Sequence, residues 1–424
     1  MKCANKKKDL TMTISNVTNE MINDGGYKVA VRKNPRDFTR NRKMPFEEVI
    51  LFTLMSFKCS TQSALRRFFD MLGKRVFMKQ QSYSEARKKI SVMAFELLFQ
   101  ATVKVMTEEC HDNWHGYLVY AIDGSKIALP ADKALHRHFG AVGKGIKSPT
   151  AQGSIIYDVL NDIVIDAAIG PVSTDERSLA KAHIDSCKGY ASDSKKLIIF
   201  DRGYPSFDLI EKLESDNFHY VMRVREKFNN DIDAQTSPDG YVTIEKDGKA
   251  IRARVIKFTL ESGEREALIT NITDKRLGKK AFKQLYFLRW PVETKYDIVK
   301  NKLQLENFTS RTVEGVGQDF FASMYLANVA AAAAIDARPD IESERGGKDN
   351  KYQYKANINE LIGILKDRFV AALTEESAEK QIELINNIIK EVKGSVVPKR
   401  DNRSIPRNSS PRKTKFHHNR KVNC

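Results

Sequence analysis

The sequence predicts an α/β protein whose mixed-sheet core carries a β-strand insertion and is flanked by helical N- and C-terminal regions. Three observations predict it. Two short apolar runs, Tyr117–Asp123 and Lys196–Asp201, read as buried strands, and helical segments stand among the strands around them. Residues 226–272 lose helical periodicity and carry turn signals instead. Residues 45–115 and 311–398 space their apolar side chains at three-to-four intervals.

Residues 1–44 read as a basic arm with little periodicity, and 45–115 as a helical region suited to DNA binding. Pro45 suits a first helical turn, and Phe46, Val49, Ile50, Leu54 and Phe57 follow at helical spacing. A second helix covers Ser60–Leu72, stopped by Gly73. A third begins near Ser82 and carries Arg87, Lys88 and Lys89 before an apolar run to Phe99. A basic helix is one way into a DNA groove, and a solvated helix face accounts for the three charges equally well.

The first part of the core spans 116–225. After the strand ending at Asp123, Ser154–Leu160 and Ile163–Ile169 read as a hairpin about Asn161-Asp162. A helix from Glu176 to about Ser186, the strand ending at Asp201, a helix Ser206–Ser215 and a strand His219–Arg225 complete it. This order requires crossover helices. In 226–272, Tyr241–Lys246, Ala250–Leu260 and Arg265–Ile272 are strands joined at Asp247-Gly248 and Ser262-Gly263. The second part of the core, 273–310, is helical from Lys279 to about Leu305 with a break at Pro291. Ala322–Ile335 and Ile358–Val392 supply the helices of 311–398. The tail 399–424 holds nine Lys or Arg and one acid, Asp401. It is too polar to fold alone, and basic enough to add affinity for a polyanion.

Composition narrows the function. The 424 residues carry 71 Lys+Arg against 54 Asp+Glu, a formal net charge of +17, which favours a phosphate-backbone partner. At 41% hydrophobic and 29% charged, the chain is neither disordered nor fibrous. Its most apolar run, Phe321–Ile335, falls short of a membrane span, and the lysine-rich start lacks the apolar stretch of a signal peptide. A cytoplasmic location without membrane contact is expected. Five scattered cysteines without a C-x-x-C pair argue against a disulfide framework or zinc ribbon. His111 with His115, and His136 with His138, lack the partners zinc requires.

Asp123 and Asp201 each end an apolar strand and precede a small or flexible segment, Gly124-Ser125 and Arg202-Gly203-Tyr204. Ligands of open α/β sheets bind beyond the carboxyl ends of strands, and paired carboxylates there suit a hard cation such as Mg²⁺. A strand-terminal Asp also serves as a simple turn cap. Further on, Tyr286, Glu293 and Lys300 lie seven apart, with Arg289 four before Glu293. On one α-helix they would share a face, although Pro291 argues for a separate turn there. An Arg289–Glu293 surface ion pair explains two of the four.

These residues carry a resemblance. Tyr286-x2-Arg289-x3-Glu293-x6-Lys300 is similar to the Y-x2-R-x3-E-x6-K signature of DDE-class bacterial insertion-sequence transposases of the insertion-sequence-four family. Ile122-Asp123-Gly124-Ser125 resembles that family's first-aspartate motif, and Phe200-Asp201-Arg202-Gly203-Tyr204 its second. The resemblance covers about residues 45–310. It implies a ribonuclease-H-like catalytic core in which Asp123, Asp201 and Glu293 are the catalytic residues and bind two Mg²⁺ ions, with Mn²⁺ as a substitute. It implies that Tyr286, Arg289 and Lys300 contact phosphates of double-stranded DNA. Trp290 is a candidate for base stacking or for core packing. Lys126, Arg202, Arg223 and Arg225 are candidates for phosphate contact or for plain solvated surface. The implied activity is cleavage at terminal inverted repeats and joining of the 3′ ends to target DNA, by a homodimer holding two ends. Two alternatives stay open: a cutting-only nuclease of the same fold, and a non-catalytic transposase-derived DNA-binding protein.

Overall fold

The computed structural model describes residues 9–399, apart from 41, 56–57, 144–147, 192, 261–262, 346–349 and 351. The basic tail from Arg400 onward, with Phe57 and Ser262 of the expected elements, lies outside the described residues. Contacts divide the chain into a helical unit (Met1–Glu109, Leu129–Leu135, Val299–Cys424) and a sheet unit (Cys110–Ala128, His136–Ile298).

The chain opens with α1 (Leu10–Asn23), α2 (Gly25–Val31), α3 (Phe46–Met55), α4 (Thr61–Met71), α5 (Gln80–Arg87) and α6 (Met93–Glu109). Next come β1 (Tyr117–Ala128), α7 (Lys133–Phe139), β2 (Ala141–Val142), β3 (Ser148–Asp158), β4 (Ile163–Pro171) and α8 (Glu176–Cys187). They are followed by β5 (Lys195–Phe200), α9 (Phe207–Ser215), β6 (His219–Val224), α10 (Asn230–Ala234), β7 (Asp239–Lys246), β8 (Lys249–Thr259) and β9 (Arg265–Thr270). After α11 (Lys279–Phe287), α12 (Trp290–Asp297) runs into a π-helical turn, Ile298–Lys302. The last elements are α13 (Val313–Arg345), β10 (Gln353–Ala356), α14 (Ile358–Thr374), α15 (Ala378–Gly394) and β11 (Val396–Lys399).

In the helical unit α13 is the central element. It is apolar nearly all round, and α1, α3 and α6 pack against it. By length and composition it is apolar enough to cross a membrane, but 89% of its most apolar window is buried inside the protein, as in a core helix. The segment expected to be an arm without periodicity folds as α1 and α2. Helix α1 has no side-chain cap of its own. Asp336 of α13 supplies one, accepting from Leu10 N at 3.0 Å, Thr11 N at 2.8 Å and Thr11 Oγ1 at 2.7 Å. No periodicity within 1–44 could reveal a cap that comes from the far end of the chain.

The expected basic helix is also corrected at its first cation. Arg87 ends α5 with only 4% of its surface exposed. Its guanidinium donates to Asp319 at 2.9 Å, Gln318 at 2.5 Å, Thr309 at 2.6 Å and the Gly315 carbonyl at 2.8 Å. A buried guanidinium needs such partners, so Arg87 joins α5 to α13 and does not face a groove. Among the described residues Cys110 and Cys187 are free and buried, whereas Cys59 is disulfide-bonded, which departs from the expectation of cysteines without bridges.

In the sheet unit the strand order is β2-β3-β1-β5-β6-β9-β8-β7, with β4 paired to β3. Strands β1, β5 and β6 are parallel neighbours; β3 runs antiparallel beside β1, and β4 runs antiparallel beside β3. The insertion continues the same sheet, because β9 pairs antiparallel with β6. On one face Tyr117, Val119, Leu197, Ile199 and Val221 pack against Phe282 and Leu285 of α11. Helix α8 covers β3 and β4, where buried His183 bridges Ser154 Oγ (2.9 Å) and Asp166 (2.8 Å).

The β3–β4 connection is a four-residue loop, 159–162, where the sequence suggested a two-residue turn. Asp158 folds back to accept from Leu160 N (3.1 Å), Asn161 N (3.0 Å) and Asn161 Nδ2 (2.9 Å), which shapes the longer loop. Burial pushes the Asp158 carboxyl up to about 7, against these hydrogen bonds. The folded chain therefore holds a proton that the unfolded chain releases between about pH 4 and 7. Stability from this group is full below that window and declines as pH rises through it, by at most about 1.4 kcal/mol per unit. Urea unfolding of wild type and Asp158→Asn at about pH 5 and 7 tests this. Wild type should lose stability relative to the variant on going up; a constant difference contradicts the assignment.

Candidate active site

Asp123 lies in the middle of β1, which corrects the expectation that it ends its strand. Pairing explains why it nonetheless lies at a carboxyl edge. The parallel ladder of β1 with β5 stops at Ala121↔Ile199, while the antiparallel ladder with β3 continues to Ala128↔Thr150. Two residues past the last parallel pair stand Asp123 and Asp201, the latter immediately after β5. Side chains alternate along strands, so Asp123 continues the face of Val119 and Asp201 that of Ile199. Both carboxylates therefore project on the α11 side of the sheet.

Glu293 comes from α12 on that side. Pro291 occupies the first turn of α12, where its missing N–H costs nothing, and so starts a new helix after α11. Tyr286 thus ends up in α11 and Arg289 caps α12. With the π-helical turn after Asp297, the single continuous face expected for Tyr286, Glu293 and Lys300 is not formed. Lys300 sits in that turn, 3.8 Å from Glu306.

Arg289 donates to Glu293 Oε1 at 2.7 Å, with side chains 12% and 27% exposed. The pair is half-buried, unlike a surface ion pair. Burial works against the Arg289 charge, but Glu293, Tyr286 and Asp123 outweigh it and hold the guanidinium above its ordinary value. Burial pushes Asp123 up to about 6; Arg289 and the Gly124 N–H oppose this, and the negative charges of Asp201 and Glu293 add to it. These couplings place the three carboxylates and Arg289 in one electrostatic group. Asp201 accepts from Gly203 N at 2.8 Å, which fixes the turn beyond β5.

Sequence reasoning missed three members of the surroundings. Tyr296 donates to the Asp123 carbonyl at 3.0 Å. Tyr204 is buried, and its hydroxyl has no hydrogen-bond partner among the described residues. Burial raises that phenol, helped by Asp123, Glu176 and Asp201. Glu176, the first residue of α8, accepts from Gln152 at 3.2 Å and crowds Gly124: a Cβ there would lie 2.9 Å from its Oε1. Only the Gly124 of the first motif hinted at such a close approach.

The remaining candidates are spread out. Trp290 is 51% exposed, so it is not a core tryptophan. Lys126 is exposed on β1, on the face opposite Asp123. Arg202 is exposed, as is Arg225, while Arg223 pairs with Glu264 at 2.9 Å and with Glu266. Among the described residues, no three His, Cys, Asp or Glu side chains converge closely enough to hold a metal ion.

Fold and site together define a class: a mixed-sheet protein that brings two strand-borne aspartates to the edge of a parallel ladder and faces them with a helix-borne glutamate. Residues 114–329 match the family model of the transposase DDE domain. The chain belongs to this family of DDE transposases, in its insertion-sequence-four group. It is 22% identical over 403 residues to the transposase InsG of insertion sequence element IS4 from Escherichia coli K12, covering 89% of this chain and 88% of that protein. It is also 22% identical over 153 residues to the putative transposase InsZ of the same strain, covering 34% of this chain and 50% of that one. Among solved structures, a cryo-EM piggyBac transposase synaptic complex with hairpin DNA aligns with TM-score 0.45 and 10% identity, over 94% of this chain and 85% of that chain.

Proposed function

We propose that this transposase binds the terminal inverted repeats of its element, hydrolyses phosphodiester bonds at the ends and joins the 3′ ends to target DNA, working in the cytoplasm on the bacterial nucleoid. The observation that carries the reading is the register that sets Asp123 beside Asp201 and turns both toward the helix of Glu293. The strand order β4-β3-β1-β5-β6 supports a ribonuclease-H-like core.

The chemistry of the donor set suits a divalent ion, although the three carboxylates do not converge on one point as they stand. The set consists of hard carboxylate oxygens, the ligands such an ion takes, and the burial that lifts Asp123 is reinforced by the negative charges of Asp201 and Glu293. Asp123, Asp201 and Glu293 would hold it. When bound, a pair of such ions supplies Lewis-acid stabilisation of the attacking and leaving oxygens. The chain's own residues set the geometry: Tyr296 and the Gly124 N–H fix β1 at Asp123, Gly203 N fixes Asp201, and Arg289 orients Glu293. The test is a supercoiled plasmid carrying the coding region with its flanking DNA. End nicks and strand-transfer products in Mg²⁺ are expected; nicks without joining would favour the cutting-only alternative.

Two protomers, each gripping one end, give the simplest closed complex. A strictly monomeric cleaving complex in light scattering would exclude it. Lys300→Ala should flatten the log–log salt dependence of DNA binding by about one unit, as loss of one phosphate contact does. An unchanged slope would remove Lys300 from the interface.

A further inference from the structure

The loop between α4 and α5 places an aromatic side chain at a rigid, positively charged tip. Phe77 is 71% exposed. A single exposed apolar residue is ordinary, but this one stands on a pinned loop. Gly73, at φ +65°, ends α4, and Lys74 N and Val76 N donate to Phe69 O and Lys74 O, both at 2.9 Å. Gln62 then ties both sides of the tip, donating to the Met78 carbonyl at 2.8 Å and accepting from Gln80 N at 3.0 Å. Met78 is buried, so the loop is anchored on either side of Phe77. Beside Phe77 runs a cleft of about 120 Å³ lined by Leu65, Phe69 and Val76, with Arg66 at its rim.

The loop's own charge is of one sign, with Asp70 at its entry and Glu48 beside Lys74 as the nearby acids. Residues 73–81 contain no acid. Lys74 is paired with Glu48. Lys43, Arg66, Arg75 and Lys79 are all exposed, and none forms an ion pair among the described residues. Lys43 donates to the Phe77 carbonyl at 3.4 Å, which brings a further cation to the same tip. An exposed apolar side chain on a loop that also carries exposed cations complements a duplex, where phosphates flank a stack of flat apolar faces.

We propose that the 73–79 loop is a DNA wedge: Phe77 inserts at a base step and partly unstacks it, while Arg75 and Lys79 hold the neighbouring phosphates. Pyrimidine–purine steps, which kink most easily, are its preferred sites. This rests on the reading that the chain binds DNA, and it assigns one contact within that binding.

The experiment uses the full-length protein and duplexes cut from the DNA flanking the coding region, with 2-aminopurine at their TA steps. Wild type should bind with a rise in 2-aminopurine fluorescence. Phe77→Ala should weaken binding about tenfold, the scale of one lost aromatic–base contact, and abolish the rise. Its salt slope should equal that of wild type, because no charge has been removed. Phe77→Trp should restore both signals. Arg75→Ala should keep the rise and flatten the slope by about one unit.

If Phe77→Ala matches wild type in affinity and fluorescence while Arg75→Ala flattens the slope, the loop is an electrostatic contact and the wedge is wrong. If neither variant differs while wild type binds, the loop does not touch DNA. Failure of wild type to bind any flanking duplex would instead bring down the transposition reading, and the wedge with it. The exposure of Phe77 leaves the fold indifferent to its replacement, and circular dichroism of each variant checks this.

Discussion

Replacing Asp123 or Asp201 by alanine, or Glu293 by glutamine, is expected to lower end cleavage by on the order of a thousandfold or more, while the protein stays folded and still binds DNA. Asp123 and Asp201 are like charges held together at a buried edge, so removing one relieves repulsion and does not break the core. Asp123→Ala should melt no lower than wild type. Glu293 differs, because it is the hydrogen-bond partner of the half-buried Arg289. Alanine there would strand the guanidinium and mix a folding defect into the result, whereas glutamine keeps an acceptor. Labelled flanking duplexes on denaturing gels give the readout. Metal-dependent nicking that survives in any one variant would take that residue out of the catalytic set.

The largest stability effect is expected at Arg87. Arg87→Met should cost about 3–5 kcal/mol, the usual penalty for stripping one partner from a buried ion pair. The loss arises mostly from what is left behind: Asp319, itself 2% exposed, keeps its charge without its hydrogen-bonded counterion, with only Lys58, among the described residues, nearby to oppose it. Replacing both, Arg87→Met with Asp319→Leu, should recover much of the loss. Equilibrium urea unfolding of the three proteins measures the cycle. A single-variant loss below about 1 kcal/mol would mean the network is not a structural anchor.

How far the sequence could be read follows from how local each signal is. Strands β1, β5 and β6 were legible because they are parallel and buried on both faces, which leaves continuous apolar runs. The two aspartates were legible for the same reason, as carboxylates abruptly closing such runs. That Asp123 sits mid-strand was hidden, because only the β3 ladder carries β1 onward, and Gly124-Ser125-Lys126 reads like a loop. Arg87 looked like a surface cation beside Lys88 and Lys89, since its partners Thr309, Gln318 and Asp319 lie in a distant segment. The split of Tyr286 from Glu293 was half visible in Pro291; the π-helical turn before Lys300 left no mark in the apolar pattern. Glu176 reaches the site through tertiary packing alone, whereas Tyr204 stands in the second-aspartate motif without any local sign that its hydroxyl is buried there.

The cap that Asp336 places on α1 joins residues 325 positions apart, and this sets an order of events during synthesis. The sheet unit's segments, Cys110–Ala128 and His136–Ile298, are interior to the chain and are complete before α13 exists. The strands and all three carboxylates thus leave the ribosome while the first helices still lack their centre. Long-range closure of this kind is slow, and it leaves the amino-terminal helices unsettled until α13 has been made. A fragment ending after α6 would expose the apolar faces of α1, α3 and α6 without the helix they pack on. The region that heads the sequence is therefore unsuited to expression as a separate DNA-binding piece, whereas a chain that runs through α15 supplies every helix it packs on.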